Sequence, residues 1–191
     1  MKKVLAVLTV LVLGLTMMGC GGEDASKDEK QTEAPASNNK EETVETKTAT
    51  VGELTVSYPS SWTQEKSNAG GIILQSEDST ASVNILPPTE LITEVSSELA
   101  WEVHFGGVKS GIEKTGFTFS ESGTSQIIKG AQQAELYSCE GEIEGKGLVK
   151  GYLFGATTED EFYSAMVLMN SDGYTEYNDA VLDIINSISF S

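Results

Sequence analysis

Beyond the N-terminal region, the first segment that contains several large apolar residues shows an alternation of hydrophobic and polar positions. Leu54, Val56 and Tyr58 are separated by Thr55 and Ser57, which is the two-residue period of a half-buried β-strand. Prolines and serines follow directly and stop the pattern. We therefore predict a strand at this point, close to the start of the folded region.

Two further short apolar runs follow at Ile72–Leu74 and Ala81–Leu86. The polar segment Glu77-Asp78-Ser79 lies between them, and Pro87-Pro88 comes after the second run. Short apolar runs bounded by turn residues are typical of strands. The two runs are predicted to be strands joined by a turn.

The period changes to that of a helix between Ser96 and Thr115. Apolar residues recur here at steps of four, three and four and share one helical face: Trp101, Phe105, Val108 and Ile112. Ser96 is placed to cap the start of the helix and Gly116 to end it. Gly106 and Gly107 interrupt the helix, and we expect a bend or a close approach of the backbone to the sheet there.

A second amphipathic helix is predicted near the C-terminus. Its apolar positions recur at steps of three and four: Tyr174, Tyr177, Val181, Ile184 and Ile188. The helix is expected to end near Asn186. The last residues, Ser189-Phe190-Ser191, are predicted to add an edge strand.

The stretch from Ala134 to Asn170 predicts a long β-hairpin and a following strand. Gly145 and Lys146 match a two-residue loop with glycine first, as type II′ turns prefer. This register places three apolar pairs on one face: Ile143 with Leu148, Cys139 with Tyr152, and Tyr137 with Phe154. A shift of one residue would put Gly147, Gly151 or Leu153 opposite them instead, so the pattern favours the first register.

The strand after the hairpin, Phe162–Met169, is apolar on both faces apart from Ser164. A strand with two apolar faces is covered on both sides. Together with the hairpin and the two amphipathic helices, this predicts an α+β domain in which helices flank an antiparallel sheet.

The N-terminus has the three-part layout of a secretory signal peptide. Lys2 and Lys3 precede the apolar run Val4–Leu15, and Gly19-Cys20 follows. The ending resembles a bacterial lipobox, with Met17 in the place of the usual leucine, which implies cleavage before a lipid-modified Cys20. The alternative is a membrane-spanning anchor, but the run is shorter than the ~20 residues that a spanning helix needs.

Residues 20–48 are almost entirely small, polar or charged, and Val44 is their only large aliphatic residue. Such a segment cannot bury enough apolar surface to offset its ordering entropy. We therefore predict a signal peptide at 1–19, a disordered tether at 20–48 and one globular domain at 49–191. A flexible chain of this length has a root-mean-square reach of roughly 30 Å.

The chain is strongly acidic, with a formal net charge of −17, and its 12 basic residues are all lysine. Arginine is the preferred side chain for phosphate and base edges. The charge and the lack of arginine exclude nucleic acid as a partner and exclude docking to anionic lipid through basic residues. The predicted membrane contact is through the lipid on Cys20.

Three features could carry chemistry. His104, the only histidine, lies at the margin of the first helical face, and we interpret it as a boundary residue. Cys139 has no partner if Cys20 carries lipid, and it is interpreted as a small buried hydrophobe. Glu159-Asp160-Glu161 gathers carboxylates at a turn without the spacing of a calcium loop, which favours a solvated turn.

The order of elements, the opening Tyr58-Pro59-x-x-Trp62 and the ending Ser187-x-x-Phe190 resemble the PsbP-like family. This family includes the PsbP subunit of photosystem II, the Ran-binding nuclear import factor of the same fold, and many bacterial lipoproteins. The resemblance covers 49–191 and implies an α/β/α sandwich. It also implies an accessory or binding role, and no metal-contact or Ran-contact residue of the family is matched here.

Two hypotheses follow for function. The first is a non-catalytic, lipid-anchored module that binds an envelope protein or a small molecule outside the cytoplasm, without a cofactor, a metal or a catalytic residue. The alternative is an ion-binding protein or enzyme that uses surface carboxylates and His104. Carboxylates of raised pKa converging in a pocket would favour the alternative.

Overall fold

The computed structural model describes residues 45–92 and 94–191. The strands are β1 (Thr46–Val51), β2 (Leu54–Pro59), β3 (Thr63–Lys66), β4 (Ile72–Gln75), β5 (Ala81–Ile85), β6 (Thr89–Glu90), β7 (Thr118–Phe119), β8 (Thr124–Ser125), β9 (Gln133–Ile143), β10 (Gly147–Thr157), β11 (Glu161–Asn170) and β12 (Ser189–Phe190). The helices are α1 (Ser97–Glu113) and α2 (Ser171–Asn186).

The strands form a large sheet and a small one, and all strand pairs are antiparallel. The large sheet runs β3-β4-β5-β11-β10-β9-β7, with β6 paired to β11 and β8 paired to β9. The small sheet runs β1-β2-β12. The long strands β9, β10 and β11 form the meander in the middle of the large sheet.

One face of the large sheet carries the main core. α2 packs on β11, β10 and β5 of the large sheet and on β2 of the small sheet. The alternating residues of β2 (Leu54, Val56, Tyr58) and the apolar stripe of α2 (Val181, Ile184, Ile185) are buried here with Val83, Phe154, Tyr163 and Val167. The Asn170 side chain caps α2 by accepting a hydrogen bond from the Gly173 N–H at 2.8 Å.

The opposite face of the sheet is covered by α1. Trp101 stacks on Phe105 with ring centroids 4.8 Å apart, and both pack against Leu153 and Phe162. Ser96 caps the helix as predicted, since its side chain accepts a hydrogen bond from the Leu99 N–H at 3.3 Å. The predicted class, an antiparallel sheet flanked by helices, is therefore confirmed.

The predicted hairpin register is wrong by one residue. Ile143 pairs with Gly147, Cys139 with Gly151 and Tyr137 with Leu153. The loop therefore contains three residues, not two. The Lys146 N–H donates to the Ile143 carbonyl at 2.9 Å, and the φ of +79° at Gly145 is the left-handed conformation that a type II turn requires at its third residue.

The glycines of the hairpin explain the observed register. Gly141 and Gly151 lie on the face that α1 covers, because Val149 and Cys139, opposite them, pack there. Gly155 lies on the same face, next to the rings of Phe105 and Trp101. A Cβ atom on Gly155 would lie 2.3 Å from the Phe105 ring, and one on Gly141 would lie 2.8 Å from the Phe117 ring. These positions must lack side chains, because the aromatic rings occupy the space.

Five of the strands were not predicted: β1, β3 and the two-residue strands β6, β7 and β8. β3 reads Thr-Gln-Glu-Lys and is fully exposed, and β1 buries only Ala49 and Val51. β1 begins at Thr46, three residues before the predicted start of the domain at Ala49. The predicted signal peptide (1–19), Cys20 and residues 20–44 of the predicted tether lie outside the described residues.

At Gly106 and Gly107 we expected a bend or a close approach of the helix backbone to the sheet, and the close approach is wrong. Both are exposed, and a Cβ atom on either would meet nothing within 4 Å, so the helix backbone does not approach the sheet at these positions. The same holds for Gly111. Each glycine in a helix interior costs about 1 kcal/mol relative to alanine. Contacts within the described residues do not account for that cost.

Candidate functional site

His104 lies on α1 and packs on the sheet. Its ring stacks on Phe162 with centroids 5.6 Å apart, and its Nε2 is buried without a hydrogen-bond partner. A catalytic histidine needs its ring nitrogens within hydrogen-bond reach of a nucleophile or of an orienting group. The packing of His104 on an aromatic ring is instead that of a residue at the border of a core.

Cys139 is buried, as predicted, but its surroundings differ from the prediction. It faces Gly151, and it packs with Phe117 and Val149 on the α1 side of the sheet. Burial raises the pKa of the thiol to about 12. At neutral pH the group is therefore a thiol, which is a poor nucleophile.

The three carboxylates at the turn before β11 have different surroundings. Glu159 and Asp160 are exposed, whereas Glu161 accepts a hydrogen bond from the Tyr163 hydroxyl. The Tyr163 hydroxyl also accepts a hydrogen bond from the Glu53 N–H at 3.0 Å, which links β11 to the turn between β1 and β2. The pKa of Tyr163 is raised to about 12, mainly by burial and further by the contact with Glu161. Glu161 therefore has a structural partner.

Within residues 45–92 and 94–191, no three histidine, cysteine, aspartate or glutamate side chains come together in a way that could hold a metal ion. The turn carboxylates line an open groove of about 770 Å³ with Glu53 and Glu90, but they do not converge. In the same part of the chain, neither helix is long and apolar enough to cross a membrane.

A trough on the α2 side of the sheet brings several polar side chains together. Residues directly opposite in an antiparallel pair share a face. Glu140 pairs with Lys150 and with Thr118, and Ser138 pairs with Tyr152, so the side chains of β7, β9 and β10 at these positions point to the same side. α2 covers only part of this face, and its Tyr174 forms one wall of the trough.

The trough has a volume of about 340 Å³ and is open to solvent. The Tyr152 hydroxyl donates to the Asn178 side chain on α2 at 2.8 Å. The Lys150 ammonium lies 5.5 Å from the centroid of the Tyr174 ring, within the range of a cation–π contact. These contacts hold Tyr152 and Lys150 in place without filling the trough.

The trough is suited to binding a small polar molecule. The pKa of Tyr152 is raised to about 12, mainly by burial and further by the neighbouring Tyr174 and Asp179. Its hydroxyl therefore stays protonated at neutral pH. Hydroxyl groups of Ser120 and Ser138 can donate and accept, and Lys150 and Glu140 add one charge of each sign. Sequence reasoning missed this site because the wrong register placed Tyr152 opposite Cys139.

The sequence matches no protein-family model and no curated protein. Solved structures do match. The solution structure of cyanobacterial PsbP (CyanoP) from Synechocystis sp. PCC 6803 superposes with a TM-score of 0.53 at 7% identity, over 78% of this chain and 94% of that chain. This domain has a PsbP-like fold.

A second structure supports the PsbP-like fold. LpqN, which is involved in cell envelope biogenesis of Mycobacterium tuberculosis, superposes with a TM-score of 0.50 at 18% identity, over 77% of this chain and 91% of that chain. At these identities the similarity concerns the fold alone. The predicted resemblance to PsbP-like proteins is confirmed at that level.

Proposed function

We propose that this protein is an extracytoplasmic lipoprotein whose PsbP-like domain is a non-catalytic binding module of the cell envelope. The observation that carries the proposal is the trough beside Lys150 and Tyr152, which gathers hydrogen-bonding groups on a rigid sheet. Binding sites place a few polar groups on a scaffold that is largely formed before the ligand arrives. The trough meets this description.

The chemistry of the described residues supports binding rather than catalysis. The trough holds hydroxyl groups and one ion of each sign, and His104 and Cys139 both pack on the α1 side of the sheet. An acyl-transfer site would need a hydroxyl nucleophile held by a base, but the Ser120 hydroxyl donates to the Ser122 carbonyl and the Tyr152 hydroxyl donates to Asn178. The carboxylate alternative is disfavoured, because Glu159, Asp160 and Glu161 do not converge.

The envelope location is supported by the N-terminal sequence. A basic head, a short apolar run and Gly19-Cys20 form the pattern of an exported, lipid-modified protein. LpqN, which shares the fold, is involved in cell envelope biogenesis. In this proposal the lipid on Cys20 holds the protein at the membrane, and the polar tether separates the domain from it.

Replacing Cys20 by serine is expected to abolish labelling of the protein with a fatty-acid analogue, because serine lacks the thiol that accepts the lipid. The protein should also leave the membrane fraction. The Cys139→Ser variant is the matched control, since it removes the other cysteine and should keep full labelling. Labelling that survives in Cys20→Ser would show that the anchor is wrong.

The Lys150→Glu variant tests the trough. A panel of carboxylic acids, sugar phosphates, amines and oligosaccharides is screened for compounds that raise the melting temperature, since a ligand at 100 times its Kd stabilises by about 2.7 kcal/mol. We expect the shift caused by such a compound to disappear in Lys150→Glu. Lys146→Glu makes the same charge change at the exposed hairpin loop and should keep the shift.

Two results of this screen would contradict the trough as a binding site. One is a stabilising compound that acts equally on wild type and Lys150→Glu. The other is a panel in which no compound raises the melting temperature of the wild type. Either result would show that the trough does not bind these compounds, and the proposed function would lose its structural support.

A further inference from the structure

α1 exposes two large apolar side chains on the side away from the sheet. Trp101 and Phe105 are buried, but Leu99 and Val103 are 45% and 49% exposed. With 3.6 residues per turn, Gly106 and Ser110 continue the line of Leu99 and Val103, and Gly107 lies beside it. We call these five residues the outer face of α1. A surface helix normally carries polar and charged residues there.

The glycines of this face give an independent observation. A Cβ atom on Gly106 or Gly107 would meet nothing within 4 Å, so packing inside the described domain does not require glycine at either position. Glycine on a helix surface permits the backbone of another molecule to approach closely. The outer face therefore leaves room for the backbone of another molecule at these two positions.

The charges beside the outer face indicate the kind of partner. Glu98, Glu102 and Glu113 follow one border of the face, as the helical period places them on the same side. Lys109 lies on that side too, but its ammonium is held over Tyr137 and Phe119, 4.8 and 5.5 Å from the ring centroids. Lys114 follows Ser110 by one turn at the C-terminal end of the helix, so the acidic part of the border is the N-terminal half, where Glu98 and Glu102 lie beside Leu99 and Val103. A basic border on the partner would complement this half.

Two other occupants fit less well. A second copy would bring an equally acidic border and a net charge of −17 to the contact. A membrane surface suits helices whose polar side is rich in lysine or arginine, whereas this border carries glutamate. The charge thus favours a different protein over both.

We propose that the outer face of α1 docks an apolar helix or strand, bordered by lysine or arginine, of another envelope protein. Leu99 and Val103 would be buried in the contact, and Gly106 and Gly107 would admit the partner's backbone. The contact is separate from the trough, which lies on the other face of the large sheet. Docking at the outer face therefore does not depend on whether the trough binds a ligand.

The test uses the full-length protein in intact cells, with a photo-crosslinking amino acid at Val103. We expect a discrete adduct with another protein, whose crosslinked peptide is apolar and flanked by lysine or arginine. The same amino acid at Glu176, an exposed position on α2, is the control and should give at most a tenth of the adduct.

Two further variants separate docking from folding. Glu98→Lys with Glu102→Lys should reduce the Val103 adduct at least fivefold, while Glu65→Lys with Glu77→Lys, the same charge change at exposed sites on β3 and after β4, should leave it unchanged. Gly106→Ala with Gly107→Ala should also reduce the adduct at least fivefold. The melting temperature should rise in that variant, because alanine favours the helix, so unfolding cannot explain the loss.

The proposal is overturned by an adduct with a second copy of the chain, by an adduct with lipid, or by no adduct at all. It is equally overturned if the adduct withstands both the charge reversal at Glu98 and Glu102 and the alanines at Gly106 and Gly107. A crosslinked peptide without basic residues would contradict the assigned partner chemistry.

Discussion

Replacing Phe154 by alanine is expected to lower the free energy of unfolding by about 3–5 kcal/mol. Phe154 is fully buried in β10 on the α2 side of the sheet, where it belongs to the main core. Truncation removes its buried apolar surface and leaves a cavity that rigid neighbouring strands cannot fill. Denaturant unfolding of the two proteins, followed by circular dichroism, measures the difference.

Leu148→Ala is the control for this loss. Leu148 lies on the same strand but is 46% exposed, so its truncation should change the free energy of unfolding by less than about 1 kcal/mol. Equal losses for the two variants would mean that β10 does not present Phe154 to the core. The core described here would then be wrong.

Gly155→Val is expected to be the second most damaging change, with a loss of about 3 kcal/mol. A Cβ atom at this position would lie 2.3 Å from the Phe105 ring and 3.1 Å from the Trp101 ring. α1 would have to move away from the sheet to admit the side chain. The melting temperature should fall by roughly 10 °C, at about 3 °C per kcal/mol for a domain of this size.

Gly155→Ala and Gly107→Ala complete this series. Alanine at 155 also places a Cβ atom against Phe105, so this variant should be destabilised, though less than Gly155→Val. Alanine at 107 meets no atom within 4 Å and should stabilise the domain by about 1 kcal/mol. A Gly155→Val protein as stable as wild type would show that α1 does not rest on this part of the sheet.

The proposed binding site depends on the hairpin register that Gly155 helps to set. In the observed register, Lys150 lies opposite Glu140 and Tyr152 opposite Ser138, so all four side chains line one trough. In the predicted register, Tyr152 would have faced Cys139. A one-residue shift thus decides whether the polar groups of β9 and β10 form one site.

The elements that were predicted correctly have strong local patterns. The stripe of α2 was identified from its spacing, and Val181 and Ile184 are indeed buried. The capping Ser96 of α1 follows from a preference that acts within a few residues. β11 was identified because it is apolar on both faces, and both faces are covered.

The elements that were missed lack such patterns. β3 has no buried residue, and it is a strand because β4 offers it a hydrogen-bonding edge. β1 buries two small or medium side chains, and it pairs with β2 along its whole length. In both cases the backbone partner, and not the side chains, determines the strand. β3 has no apolar period at all, and the alternation in β1, where Ala49 and Val51 alternate with threonines, is too short to indicate a strand by itself.

The sequence by itself determined the two helices, the long strands, the α+β class and the acidic charge, because these follow from spacing and composition along short stretches. The tertiary structure alone decided the hairpin register, the covering of β10 on both faces and the open side of α1. These features depend on residues distant in sequence, such as the rings of Phe105 and Phe117 that require glycine at 155 and 141. Alternation defines two faces of a strand but does not say which partner covers each face.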